Sequence, residues 1–190
     1  MVERERRILD EAAALFHEKG FHGVGMDALG ARAGLSGPAL YRHFSGKNEI
    51  LAALFNEAMD ELVGATIPTS ADPADDLRRM VRHHVEYAIS HRALVGIYQR
   101  EDRSLDDPNR TMFARRRRRY VERWEAAVSR RFPTADPEDV AITAQSCLGV
   151  IFSVAYWPAS LVEGTRSGPL VEQFISHGLA VLDGIALDRP

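Results

Sequence analysis

One cysteine, two lysines and no surplus of positive charge exclude several kinds of protein before any motif is considered. Cys147 alone forms no internal disulfide and builds no zinc site; in its apolar surroundings an inert buried thiol is expected rather than a redox switch. The chain has no strand-like alternation, low-complexity tract or internal repeat. It also has no nucleophile elbow, phosphate-cradling glycine loop, metal-ligand spacing or dinucleotide fingerprint, so no catalytic residue, metal or cofactor is implied. His83, Tyr87 and His91 share a helix face, but no carboxylate follows at the spacing that would complete a metal site. The N-terminus lacks the basic region and apolar core of a signal peptide, which gives the expectation of a cytoplasmic protein. A net charge of −3 with pI about 6.2 does not announce a nucleic-acid partner.

The 190 residues are 45% apolar, enough for one large or two small domains. Locally the charge is uneven. From Ala28 to Asn48 there is no Asp or Glu, while Arg32, Arg42, Lys47 and a His43 cation fall in or beside that stretch. The same stretch reads as two short helices joined by a tight turn. A first helix over about 5–19 places Ile8, Leu9, Ala12, Leu15 and Phe16 on one face, and Gly20 stops it with Phe21 folding back on Phe16. A second runs from an N-cap at Gly25, with Asp27 at its positive end, to Gly34. A third opens at Ser36, a side-chain cap, with Pro38 in its first turn. Leu40 and Phe44 pin its inner face to Leu29 and Leu35. The outer face carries Gly37, Pro38, Ala39, Tyr41, Arg42 and His43. That is the form of a helix-turn-helix offering a recognition helix to the major groove. Arg42 suits guanine or phosphate, and Tyr41 a phosphate or a thymine methyl. Lys47 opens the next helix, where a cation opposes the dipole; a nearby phosphate would explain it.

These residues resemble the TetR (tetracycline repressor) family of bacterial transcription regulators. The match covers roughly residues 4–55: Ile8-Leu9, Ala13, Leu15-Phe16, Lys19-Gly20-Phe21, Ala33-Gly34-Leu35-Ser36, Ala39-Leu40-Tyr41-Arg42-His43-Phe44, and Lys47 with Leu51. The resemblance implies an all-α protein with a DNA-binding N-terminal domain, a helical effector domain and a homodimer built from the last two helices. It also implies release of DNA when a small ligand binds. By position, the DNA contacts fall on Gly37, Pro38, Tyr41, His43 and Lys47, with Arg42 beside them. Two departures stand out: Val24 and Gly25 replace the usual Thr or Ser, removing a hydroxyl cap and phosphate contact. Gly30 replaces the usual Ala, weakening the second helix by under ~1 kcal/mol.

About nine helices are expected, divided into residues 1–62, the helix-turn-helix domain, and 63–190, for effector binding and dimerisation. A Pro/Thr/Ser/Asp linker over 67–72 separates them. Further helices are read at about 73–90, 94–103, 110–131 and 169–185. Residues 140–162 lack Asp, Glu, Lys and Arg, but Thr143, Gln145, Ser146, Ser153, Pro158 and Ser160 speak against a membrane span. Paired with the last helix and a second copy, this segment would make a two-fold four-helix interface. Two recognition helices would then lie about 34–36 Å apart on a palindromic operator.

The run Arg115–Arg119 goes round the helix axis, and projection from Phe113, Tyr120, Trp124 and Val128 puts Arg117, with Arg116 as the alternative, on the inner face. Either a pair with Glu101, Asp102 or Asp106 satisfies it, or it binds the anionic end of an effector such as a carboxylate or an acyl-CoA. Tyr87, Tyr98, Arg117, Trp124, Phe152 and Tyr156 are the candidate lining of a largely apolar effector pocket; plain core packing is the other reading of the aromatics. The expected function is thus a ligand-responsive, DNA-binding repressor. The alternative is an architectural or partner-controlled DNA-binding protein without a ligand.

Overall fold

A computed structural model of the chain describes residues 2–162 and 167–184. Among these the chain is all-α, with no strand. The helices are α1 (Val2–Lys19), α2 (Met26–Ala33), α3 (Gly37–Tyr41), α4 (Lys47–Ala65), α5 (Pro73–Ser90), α6 (Arg92–Glu101), α7 (Asp107–Arg131), α8 (Pro137–Phe152), α9 (Ala159–Val162) and α10 (Ser167–Asp183). Short 3-10 turns cover Asp102–Ser104 and Ser153–Tyr156. Ile185, expected in the last helix, lies outside the described residues.

Several boundaries differ from the periodicity reading for local reasons. The long helix read from about residue 110 starts three residues earlier. Asp107 begins α7, because a proline in the first helical turn gives up an N–H that has no partner there anyway. The apolar segment 140–162 is not one helix. It leaves α-geometry after Phe152, and Trp157 is extended (ψ 148°), the conformation favoured before Pro158.

Contacts gather the chain into two compact units, Met1–Met59 with Ala93–Arg115, and Asp60–Arg92 with Arg116–Pro190. In the first, the apolar stripe of α1 (Ile8, Leu9, Ala12, Leu15, Phe16) is buried as its spacing demands. Gly20 ends the helix in the left-handed region (φ 72°), and the Phe21 ring closes on Phe16 at 5.2 Å. Phe55 of α4 meets Tyr98 of α6 at 5.6 Å and Phe113 of α7 at 5.4 Å, a buried aromatic cluster.

The second unit is built from α5, α8 and α10, which pack on one another. Leu77, Met80, Val81, Val85 and Ala88 of α5, Cys147, Leu148 and Ile151 of α8 and Phe174, Ile175 and Leu182 of α10 are all buried. Gly178 makes the close approach possible: a Cβ there would stand 3.0 Å from Val81 Cγ1. The Cys147 thiol lies 3.6 Å from the Gly178 carbonyl, and burial pushes its pKa up to about 12, as befits an inert thiol. Arg82 of α5 forks onto Glu172 of α10 at 2.6 and 3.1 Å. Pro137–Tyr156 has the length and mean hydropathy (1.4) of a membrane span, yet Val140, Ala144, Cys147, Leu148 and Ile151 are buried as in a core helix.

The segment between α4 and α5 is held by the start of α5. Asp72 caps that helix through Ala74 N–H (2.9 Å). Asp76 is 2% exposed, and its Oδ1 accepts from the amides of Thr69 (2.9 Å) and Ser70 (3.0 Å). Arg79 donates to the carbonyls of Ala65 (3.0 Å) and Ile67 (2.5 Å), tying off the end of α4. The Thr69 amide bond is the main reason the Asp76 carboxyl titrates below its ordinary range, with the Ser70 amide, Arg79 and Arg130 adding to it.

A carboxyl with a depressed folded pKa stabilises the protein above its unfolded pKa and loses that contribution as pH falls through the folded value. Asp76→Asn is therefore expected to melt below the wild type at neutral pH. The gap should narrow steadily on acidification, read from melting temperatures across an acid pH series.

Candidate nucleic-acid interface and ligand pocket

The two-helix reading of 20–47 is found with its turn chemistry. Gly34 ends α2 at φ 69°, ψ 34°; its N–H reaches the Ala31 carbonyl (3.2 Å), and Leu35 N–H reaches Gly30 (2.8 Å). These bonds close the last turn of α2 and reverse the chain within a few residues. Leu29 and Ala33 of α2 are buried, as are Leu40 and Phe44. α3 is therefore clamped by one side only. Tyr41 is 54% exposed, and Pro38 and Arg42 also face solvent, with Gly37 and Ala39 half-buried. Arg42 makes no ion pair among the described residues.

Three charges and one cap depart from the sequence reading. Ser36 holds the N-cap position (ψ 153°), but its hydroxyl makes no cap bond. Its carbonyl instead accepts from Ala39 (2.9 Å) and Leu40 (3.0 Å) N–H. Arg32 adds nothing to a positive patch: it bonds Glu18 (3.1 Å) and Glu11 (3.0 Å) of α1, which lowers the Glu18 pKa and raises its own. Lys47 needs no phosphate to explain it. Its ammonium donates to the carbonyls of Phe21 and Val24, each at 3.0 Å, and sits 4.5 Å above the Phe21 ring centre. His43 is half-buried, with Nδ1 3.4 Å from Glu5 Oε1.

Sequence reasoning missed the cations at the start of α1. A surface groove of about 1020 Å³ beside the turn is lined by Arg4, Arg6 and Arg7 and by Glu3, Asp10 and Glu11, together with Ala33, Gly34, Leu35 and His43. Arg7 lies across the turn: a Cβ on Gly34 would fall 2.7 Å from its Nη2. The signal was available in the α1 repeat, since residues 4 and 7 lie outside the 8–9–12–15–16 stripe.

The six pocket candidates are divided between the two units. Tyr98 belongs to the aromatic cluster of the first unit. Tyr87 is buried and stacks on His91 at 4.3 Å, Trp124 is fully buried and Phe152 is half-buried in the second unit. Tyr156 is 65% exposed, because the 3-10 turn after Phe152 breaks the helical phase. Arg117 is exposed as well: the inner stripe of α7 runs Phe113, Arg116, Tyr120, Trp124 and Ala127, one position away. Arg116 is the half-buried member and pairs with Asp60. His84 was overlooked. It is fully buried on α5, its ring edge-on to Trp124 at 4.9 Å. Burial lowers its pKa to about 3, so the ring is neutral.

Comparison with known proteins bears on this geometry. Residues 8–54 match the model for bacterial regulatory proteins of the tetR family, and residues 70–159 match that for a tetracyclin repressor-like C-terminal domain. The HTH-type transcriptional activator FasR of Mycolicibacterium smegmatis is 35% identical over 88 residues, 45% of this chain and 40% of FasR. The HTH-type transcriptional repressor KstR2 of Mycobacterium tuberculosis is 30% identical over 105 residues, 54% of this chain and 52% of KstR2. The chain thus matches about half the length of these curated relatives, or less. The crystal structure of the TetR-family regulator PfmR from Thermus thermophilus superposes with a TM-score of 0.80 at 29% identity, covering 96% of this chain and all of PfmR. AibR, solved with isovaleryl coenzyme A and operator DNA, shares the fold (TM-score 0.77, 24% identity, 92% and 97% coverage).

Two outcomes test the local account. Gly34→Ala forces a side chain into the left-handed region and is expected to cost about 1–2 kcal/mol, measured by denaturant unfolding. Lys47→Met strips a donor from two carbonyls and is expected to lower stability by roughly 1–3 kcal/mol without any DNA present. An unchanged midpoint in the second case would return Lys47 to a purely DNA-facing role.

Proposed function

This chain belongs to the tetR family of bacterial regulatory proteins, and from that premise we propose that it is a transcription regulator that binds a palindromic operator as a homodimer and lets go when a small effector binds. The single observation that carries the reading is the one-sided clamping of α3. Leu40 and Phe44 are held in the core while Tyr41 and Arg42 stand out into solvent. Residues 1–62 form the DNA-reading part in this proposal and 63–190 the effector and dimerisation part.

Arg42 makes the base or bidentate phosphate contact, Tyr41 a phosphate or methyl contact, and Gly37, Pro38 and Ala39 let the helix start approach the backbone closely. His43, tied to Glu5, and Lys47, tied to two carbonyls, fix the edges of the interface and contact phosphate with what donor capacity remains. Arg4 and Arg7 of α1 offer further phosphate contacts beside the turn, set among Glu3, Asp10 and Glu11. Dimerisation uses α8 and α10. Ile142 is 56% exposed on α8, an apolar side chain that a second copy would cover, and helix pairing of this kind sets half-sites about 34–36 Å apart. Repression by occupancy of the operator, a cytoplasmic location and the absence of any enzymatic activity complete the reading.

Selection of genomic fragments by the purified protein, followed by fluorescence anisotropy on the recovered site, tests it. Arg42→Ala is expected to weaken operator binding by about 1–3 kcal/mol, roughly 5- to 150-fold, and to make the logarithmic salt slope shallower by about one. Unchanged affinity in both Arg42→Ala and Tyr41→Ala would remove α3 from the DNA. Operator binding unaffected by any small molecule would favour a ligand-independent architectural role instead.

A further inference from the structure

Among the buried polar atoms of the second unit without a hydrogen-bond partner are Nε2 of His84 on α5 and Nε1 of Trp124 on α7, and both of these side chains are fully buried. Their chemistry is fixed by their neighbours. His84 Nδ1 lies 2.6 Å from the Met80 carbonyl, which can only accept, so the ring proton is on Nδ1 and Nε2 presents a lone pair. The indole N–H of Trp124 can only donate. The two rings meet edge to face at 78°, so the core places one free acceptor and one free donor on touching side chains that do not satisfy each other. The His84 ring also meets those of Tyr120 (5.7 Å) and His83 (5.8 Å), while Met80, Val81 and Val85 of α5 and Val128 of α7 are fully buried. Such a pair calls for a partner that donates and accepts at once.

Resting on the effector-responsive reading above, we propose that His84 and Trp124 form the polar anchor for the effector. The effector's buried end is accordingly a neutral group that donates and accepts at once, a hydroxyl or a primary amide, carried on an apolar body. A carboxylate does not fit that end. It can accept from the Trp124 N–H but has no proton to give Nε2, so one of the two groups stays unmet. The charged groups that act on the ring, His83 and Arg79, both disfavour its protonation. Arg79 is itself engaged by the Ala65 and Ile67 carbonyls and Asp76. Nor is an arginine of the 115–119 run available from within, since Arg116 pairs with Asp60 and Arg117 is exposed.

The test uses the full chain carrying Trp157→Phe, so that tryptophan emission reports Trp124 alone. Linear and cyclic alcohols, the primary amides of the same skeletons and the matching carboxylates serve as probes, read by emission and melting temperature without DNA and by operator release with it. Alcohols or amides are expected to shift the emission, raise the melting temperature and bind at least about tenfold more tightly than the carboxylates. His84→Phe is expected to weaken them at least about tenfold. Trp124→Phe, read by melting, should do the same should the His84 variant fail to fold. Equal binding by wild type and His84→Phe, a preference for carboxylates, or silence across all alcohols and amides overturns the anchor. A carboxylate that releases the operator equally from wild type and His84→Phe would overturn it while leaving the regulator reading intact. Failure of the wild type to bind any operator would strike the regulator reading and leave the DNA-free measurements to judge the anchor.

Discussion

The left-handed backbone at Gly34 is the constraint on which the exposed face of α3, the proposed DNA-reading surface, depends. A five-residue helix such as α3 is far too short to persist by itself. It exists because the chain reverses at Gly34 and then drives Leu40 and Phe44 into the core already made by α1 and α2. Any residue with a Cβ would strain the turn, and Arg7 occupies the space beside it. The orientation of Tyr41 and Arg42 is therefore inherited from a backbone angle seven or eight residues upstream, not chosen by those side chains.

Charge at this surface is sparser than a count of basic residues suggests. Arg32 is spent on Glu11 and Glu18, the Lys47 ammonium on two carbonyls and a ring, and His43 faces Glu5. What is left is Arg42 with Arg4 and Arg7 at the start of α1, since Arg6 pairs with Asp10 and Glu57. An overall acidic molecule with so few free cations should depend on shape and direct contacts more than on bulk electrostatic attraction, which suits discrimination between sites better than tight unspecific binding.

The legible parts of the sequence were those governed by local rules. Gly20 and Gly34 announce their turns, the 8–9–12–15–16 stripe announces the buried side of α1, and Pro38 and Pro137 mark helix starts. What escaped was set by partners distant in the chain. Nothing near Arg32 reveals that Glu18 is waiting, and nothing near Asp76 reveals that it will fold inward to collect two amides of the preceding segment. The phase of a long helix also accumulates error. A stripe drawn through Phe113 and Tyr120 admits either Arg116 or Arg117, and only the fold places Arg116 inside. His84 was invisible for another reason: a histidine among apolar residues reads as solvated surface until its neighbours on other helices are known.

Cys147 has a practical corollary. It is the chain's one thiol, it is fully buried against α10, and its sulfur stays protonated at any ordinary pH. Alkylating and spin-labelling reagents, which need an accessible thiolate, have nothing to attack in the native protein. A cysteine introduced on the outer side of α3 would thus take up a probe without background, turning the spacing between two copies into a quantity that a spectroscopic ruler can read directly.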